Sequence, residues 1–297
     1  MDDRLSLDGL RYARTVARLG SFTGAARASG VTQPSLSNGI ARLEKRLGAS
    51  LFHRSTRGVT PTEFGTHLLP LIDRVLTELD SLTAEARRLT SPDRSDIRIG
   101  LSPLIDPRIV ARTHSAVQEF AGRRELMLRE ADMRDLRESL ATGDLDIVLV
   151  PAVEQSPGFR HQIIDSEPVV VIDSRSMTTE PVDLDDVAIS KLILVPDSCG
   201  LTTFTIGLFT GRNTEVDTYP GEPASYRMLE QWATLGLGTA ILPSSKLSTP
   251  DITHRPLFDD GLEVEIFYEA IWHENSVLAP DLELLAETLA RLAAHHR

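Results

Sequence analysis

Between Thr62 and Leu89 the chain carries one glycine, Gly65, and one proline, Pro70. Its apolar residues there fall at Phe64, Leu68, Leu71, Val75, Leu79, Leu82, Ala86 and Leu89, in steps of three and four. That is close to a heptad seam, and it predicts a helix roughly 40 Å long at about 1.5 Å per residue. A helix of this length divides the chain into a head (1–60), a linker helix (61–90) and a body (91–297). Two partners are open to its apolar seam: a second copy of the same helix, which would make a homodimer, or the chain's own body. Pro70 removes one backbone hydrogen bond and should kink it. The run TSPDRSD (90–96) reads as a hinge.

The charge is divided in the same way. The net charge of -12 resolves into +6 over residues 1–60, -2 over 61–90 and -16 over 91–297. A basic head on an acidic body suits a nucleic-acid-binding module joined to something else, with the body turned away from phosphates.

Within the head, Leu7, Leu10, Ala13, Val16 and Ala17 recur at helical spacing, and Gly20 closes the segment. Ser21 can cap a second helix through Phe22, Ala25, Ala26 and Ala28, and Gly30 ends it. Thr32 can cap a third, with Pro34 in its first turn and Gly48 as its stop. Two helices joined by the short turn Ser29–Thr32 make a helix-turn-helix. Leu36, Ile40, Leu43 and Leu47 form the apolar stripe of the third helix. Gln33, Ser35, Ser37, Asn38, Arg42 and Lys45 lie opposite, where they could meet base edges and phosphates in a major groove. LFHRSTRGVT then sets Arg54 and Arg57 in a turn between short extended runs, as a basic wing would. On periodicity and charge alone, a protein-binding three-helix cluster stays open.

The run GSFTGAARASGVTQPSLSNGIARLEKRLGASLFHRSTRGVTPTEFG resembles the N-terminal signature of the LysR-type transcriptional regulators. The matching elements are SF-x-x-AA, TQPSLS, LE-x-x-LG-x-x-LF-x-R and TPTEFG, over about forty-five ungapped positions. The resemblance implies a winged helix-turn-helix that binds double-stranded DNA. It makes Gln33, Pro34, Ser35, Ser37 and Asn38 the base and backbone readers, with Arg54 and Arg57 on the wing. It also implies dimerisation through the linker helix and tetramers built as pairs of dimers. Gly39 departs from the pattern: the family often has a longer polar side chain there, so one base contact is expected to be missing.

From Ile97 the periodicity changes. IRIGL, a helix through Val110, Thr113, Val117 and Phe120, LMLRE, a helix through Met133, Leu136 and Leu140, and the buried-strand run LDIVLV make strand–helix–strand–helix–strand. That order calls for a parallel sheet with right-handed crossovers. VVVI (169–172), LILV (192–195), TEVDTY (214–219), TAIL (239–242) and EVEIFYEAIW (263–272) read as further strands, and Leu282, Leu285, Leu289 and Leu292 as a last helix. The expected architecture is α plus α/β: a winged helix-turn-helix, a long linker helix and a two-lobed body of the periplasmic-binding-protein kind. Lobe I takes about 95–163 plus 269–297 and lobe II about 164–268, with a small molecule between them. EADMRDLRESLATGDLDIVLV and ATLGLGTAILPSSKL resemble the LysR effector domain, less specifically than the head does.

Ligands of such folds sit beyond the carboxyl ends of parallel strands. Ser102 and Pro103 follow the first strand, before a helix whose N–H groups could hold a carboxylate, although Ser102 could equally be a simple cap. Ser198, Cys199, Gly200 and Thr202 occupy the equivalent place after LILVP, and Thr202 too could be a cap. Met133 stands where the family commonly has a small polar ligand contact, so it is read either as an apolar corner of the cleft or as core. Pro151 with Ala152, and Ala224 with Ser225, complete the set.

No HExxH, GxSxG or GxxxxGK[ST] is present, and the eight histidines are scattered, His295 and His296 in a tail. No enzyme, metal site or cofactor is expected. The absence of a long apolar run or a secretory pattern argues against a membrane protein and for the cytoplasm. Three functions compete: a DNA-binding regulator controlled by a small-molecule effector, a carboxylate among the candidates; a redox-sensing regulator acting through Cys199, which falls in the loop where the family's peroxide sensors carry their reactive cysteine; and, remotely, a periplasmic-type binding protein or an enzyme.

Overall fold

The computed structural model describes residues 5–55, 58–90, 96–119, 125–155, 158–174, 179–212, 214–249 and 251–294, with the side chains of 55, 81, 84, 85 and 87–90 left aside. Arg57, Phe120, His295, His296 and most of the expected hinge lie outside the described residues.

The head begins with α1 (Leu7–Leu19), α2 (Phe22–Ala28) and α3 (Gln33–Leu47). Each helix starts where a hydroxyl can serve its free N–H groups: Ser6 accepts from Gly9, Ser21 from Gly24 and Thr32 from Ser35. Gly20 and Gly48 end α1 and α3 in the left-handed conformation, at φ 59° and 89°. The antiparallel hairpin β1 (Phe52–Ser55) and β2 (Gly58–Pro61) forms the wing. The Glu44 carboxylate accepts from the Leu51 N–H at 2.7 Å, which holds the entry to it.

The long helix α4 (Glu63–Thr90) follows. The compact unit of the head runs through Leu82, so most of α4 belongs to it, and the second unit begins at Thr83. Ile72 and Leu76 are buried with Leu10, Ala13, Val16, Leu36 and Ile40, and Phe64, Leu68 and Leu79 pack against them. Leu71, Val75 and Leu82 stay exposed. The seam read from the sequence therefore splits. The apolar arc of α4 is wide enough to serve the head's core on one side and to leave a second stripe outside.

The body is an α/β unit. β3 (Ile97–Leu101) lies between β4 (Leu126–Glu130) and β5 (Ile147–Pro151), all parallel, with α5 (Pro107–Gln118) and α6 (Met133–Ala141) as the connections. β6 (Phe159–Ile172) leads into the second lobe, followed by β7 (Val182–Asp183), α7 (Leu184–Ala188), α8 (Leu201–Thr210), α9 (Tyr226–Thr234), β8 (Ala240–Pro243), β9 (Arg255–Asp259) and β10 (Leu262–Glu263). β11 (Glu265–His273) returns, and α10 (Ala279–Ala294) ends the described chain.

β11 runs antiparallel to both β5 and β6, and the far end of β6 pairs with β8 and β9, so the sheet is mixed rather than all parallel. β6 and β11 are thus the two strands that cross between lobes. Their register shifts between Tyr268 and Glu269, leaving Ile164 without a Cα partner.

Two expected strands are absent. LILV and TEVDTY contribute only isolated bridges, from Leu192 to Thr218 and Thr239. The Leu192 N–H donates to Asp217 and the Ile193 N–H to Thr239, and Pro196 soon follows with no N–H to extend a ladder. The first ten residues of β6, FRHQIIDSEP, show no clear strand pattern in the sequence because they are polar, mostly half-buried and end in a proline.

Candidate functional site

On the head, Gln33, Pro34, Ser35, Asn38, Arg42 and Arg54 are exposed, all but Arg54 on α3. Ser37 is half-buried. Arg54 on β1 donates from Nη1 to the Ser37 hydroxyl at 3.1 Å, and its guanidinium lies 4.0 Å above the Phe22 ring. Phe22 meets Phe52 edge-on at 6.2 Å, so a wing cation, an α2 aromatic and an α3 hydroxyl form one rigid corner. Arg18, Arg27, Arg42 and Lys45 have no ion pair among the described residues, whereas Arg11 and Arg14 face Asp73 and Asp80 of α4 at 3.7–3.9 Å. The first group remains available to an anionic partner.

Gly39 is buried. A Cβ built on it would stand 2.8 Å from the Tyr12 ring of α1. The missing side chain therefore lets α3 and α1 cross closely at this position.

In the body, the strand-end residues meet the loop before α8. The Ser102 hydroxyl donates to the Cys199 carbonyl at 3.0 Å, and the Met133 N–H donates to the Ser198 carbonyl at 2.7 Å. Gly200, at φ +90°, lies so close to Pro151 that a Cβ would come within 2.7 Å of the ring. Ser102, Met133, Pro151, Ser198, Cys199 and Gly200 are thus brought together at the seam of the two lobes. Pro103 is half-buried beside Ser102.

The remaining hydroxyls are committed elsewhere. Thr202 donates to Val195 at 2.6 Å within its own lobe, and Gly200, not Thr202, occupies the cap position of α8. Ser225 caps α9, accepting from Met228. Ser102 does not cap α5 either: its Oγ accepts from the Leu104 N–H at 3.2 Å, while Asp106 is the cap and pairs with the Arg108 guanidinium. A carboxylate at the start of α5 would meet the Asp106 carboxylate already there.

Sequence reasoning missed four residues around this seam. Glu167 on β6, 3% exposed, accepts from Ser244 Oγ, from Ser245 N–H and Oγ, and from the Tyr268 hydroxyl of β11 at 2.6 Å. Lys246 Nζ donates to the Ile105 carbonyl at 2.8 Å, joining the short 3-10 turn Ser244–Lys246 of the second lobe to the first. Burial lowers its pKa, opposed by Glu167, Asp106, Glu130 and Cys199. Tyr226, at the start of α9, has a hydroxyl sealed from water, with the Cys199 thiol as its neighbour. Burial, then the nearby Cys199 thiol, raises its pKa. The only signals in the sequence were its place directly after Ser225 and the polar turn SSK after TAILP.

No group of three metal-ligating side chains occurs among the described residues, and no described helix is long and apolar enough to cross a membrane. Residues 7–66 match the family described as bacterial regulatory helix-turn-helix protein, lysR family, and residues 90–294 match the LysR substrate binding domain. Among curated proteins, the chain is 26% identical to the HTH-type transcriptional regulator EstR of Acinetobacter baylyi, over 97% of both chains. It is 27% identical to the DNA-binding transcriptional dual regulator OxyR of Escherichia coli, over 98% of this chain and 97% of that one. Among solved structures, a hydrogen-peroxide-bound cysteine-to-serine variant of Corynebacterium glutamicum OxyR matches with a TM-score of 0.59 at 23% identity, over 98% of this chain and 94% of that chain. Full-length BenM matches with a TM-score of 0.55 at 22%, over 98% and 97%.

Proposed function

Because the chain belongs to the LysR family and is a DNA-binding transcription regulator of that type, we propose that a small molecule seated between the two lobes of its body controls its sequence-specific DNA binding. The observation that carries this reading is the direct closure across the seam, from the Met133 N–H to the Ser198 carbonyl and from the Ser102 hydroxyl to the Cys199 carbonyl. A ligand inserted there must replace those bonds, and so couples its binding to the lobe angle. Gln33, Pro34, Ser35, Ser37, Asn38 and Arg42 are its base and backbone readers, with Arg54 and Arg57 on the wing. Leu71, Val75 and Leu82 of α4 face a second copy, giving a homodimer and, by pairing of dimers, a tetramer. The chain works in the cytoplasm, on DNA, without catalysis.

A thermal-shift screen of metabolites tests it. A stabilising compound should also change the DNA footprint, and Gly200→Val, which drives a side chain into Pro151, should blunt both effects. A stabiliser indifferent to that substitution binds elsewhere and overturns the reading.

A second reading, redox sensing through Cys199, is favoured by one observation: the thiol sits inside the interlobe seam beside the buried Tyr226 hydroxyl. OxyR and several relatives named hydrogen peroxide-inducible genes activators are among the proteins it resembles.

A further inference from the structure

We propose that Tyr12 of α1 contacts DNA, its phenol hydroxyl donating to a backbone phosphate, an inference that rests on α3 being the helix that docks on the duplex. Ser35, Gly39, Arg42 and Arg46 follow one another along α3 in steps of four, three and four, so they form one row on its surface. Ser35, Arg42 and Arg46 are exposed, whereas Gly39 is buried and leaves a gap within the row. That gap is filled from α1. A Cβ on Gly39 would stand 2.8 Å from Cδ2 and 2.9 Å from Cε2 of Tyr12, so the edge of the ring lies where a side chain of α3 would begin. Gly9, three residues before Tyr12, brings the two helices together, since its own Cβ would meet the Gly39 carbonyl and Leu43 at 3.4 Å.

The ring belongs to the core of the head, but its hydroxyl does not. Tyr12 is half-buried and packs on the cluster that holds Leu10, Ala13, Leu36 and Ile40. Among the described residues its hydroxyl has no hydrogen-bond partner, and it is not sealed from water. A phenol that donates to nothing within the head can donate to an acceptor outside it. The row beside it is basic. Arg42 has no ion pair among the described residues, and the one carboxylate of α3, Glu44, lies off the row and accepts from the Leu51 N–H at 2.7 Å. Asp8 stands one turn before Tyr12, in the first turn of α1, where the free N–H groups offset its charge. Two arginines and a serine along one row favour an anion next to it, and the anion that DNA offers there is the phosphate, which tyrosine hydroxyls can meet. Such a contact fixes the register of α3 on the duplex and reads no sequence. Tyr12 is thus a positioning residue for α3.

The test uses the full-length protein and duplexes that it selects from random sequence. Tyr12→Phe keeps the ring in the gap and removes only the donor, so circular dichroism and urea unfolding should match the wild type. It should weaken binding about fivefold or more, and by the same factor for every selected duplex. The salt dependence should not change, because no charge is lost. Replacing the backbone phosphates one at a time by methylphosphonate should find a position where the loss is larger for the wild type than for Tyr12→Phe. Gly39→Ala must displace the ring, so it should weaken the wild type and add little to Tyr12→Phe. Wild-type affinity in Tyr12→Phe overturns the assignment, and so does a changed ranking of sites, which would make Tyr12 a base reader. Methylphosphonate losses that are the same for both proteins at every position overturn it as well. Arg42→Ala separates the two levels. If it weakens binding and Tyr12→Phe does not, α3 still docks on DNA and only the tyrosine is wrong. If neither does, the docking of this row on DNA fails with it.

Discussion

Arg54 Nη1 donates to the Ser37 hydroxyl at 3.1 Å, so a side-chain bond ties the wing to α3. Assigned roles for the two residues, backbone contact for Arg54 and base contact for Ser37, are therefore not independent. Arg54→Ala should weaken binding to every DNA sequence and lower the salt dependence by about one phosphate contact. Ser37→Ala should cost roughly 1–3 kcal/mol at the preferred site and change the ranking of sites. The double variant should fall short of the sum by about 0.5 kcal/mol or more, as residues in contact do. Footprint titrations that give additive losses would break the link.

The outer stripe of α4 predicts a different outcome from its inner one. Leu71 and Leu82 are 51% and 67% exposed, whereas Leu76 is fully buried in the head. Replacing Leu71 and Leu82 by Asp should leave the head folded but give monomers, removing roughly 2 kcal/mol per leucine from the association. Leu76→Asp should instead unfold the head. Light scattering checks the first and circular dichroism the second, and an unchanged mass for the Leu71/Leu82 variant would show that the stripe is not the dimer contact.

Two glycines separate helix propensity from packing. Gly65 in the first turn of α4 lies against the wing entry, where a Cβ would stand 2.0 Å from the Leu51 carbonyl oxygen. Backbone cannot yield as a side chain can, so Gly65→Ala should destabilise the head by more than about 1 kcal/mol. Gly39→Ala meets only the Tyr12 ring and gains about 1 kcal/mol of helix propensity, so it should be near neutral. Urea unfolding of both variants measures the difference.

The capped head and the first βαβαβ run were legible because local chemistry decides them. Ser6, Ser21, Thr32, Gly20 and Gly48 carry their signals within a few residues. LILV and TEVDTY misled because four apolar or β-branched residues do not reveal whether a second strand lies alongside. The seam on α4 was legible as a seam, but the choice between core and surface depends on where α1 and α3 lie. At the cleft, Ser102, Met133, Pro151 and Cys199 follow from the rule that ligands sit at strand ends. Lys246, Tyr226 and Glu167 do not, since crossing strands and a turn from distant sequence bring them there.

Cys199 decides between ligand and peroxide. The thiol is 4% exposed, and the chain has no second cysteine to form an intrachain disulfide. Attack on peroxide would convert the thiol to a sulfenic acid and release water, and the added oxygen would have to fit beside Tyr226 and the Ser102 contact. The start of α8 beside it is already served by Asp197, whose carboxylate accepts from the Thr203 N–H at 3.3 Å and from its hydroxyl at 2.6 Å. Cys199→Ser should therefore leave DNA binding intact and change effector affinity by no more than a few-fold. Hydrogen peroxide should leave the wild-type footprint unchanged. A peroxide-induced shift in the footprint that disappears in Cys199→Ser, accompanied by a mass gain of one oxygen on the wild-type cysteine, would replace the ligand reading with a thiol sensor.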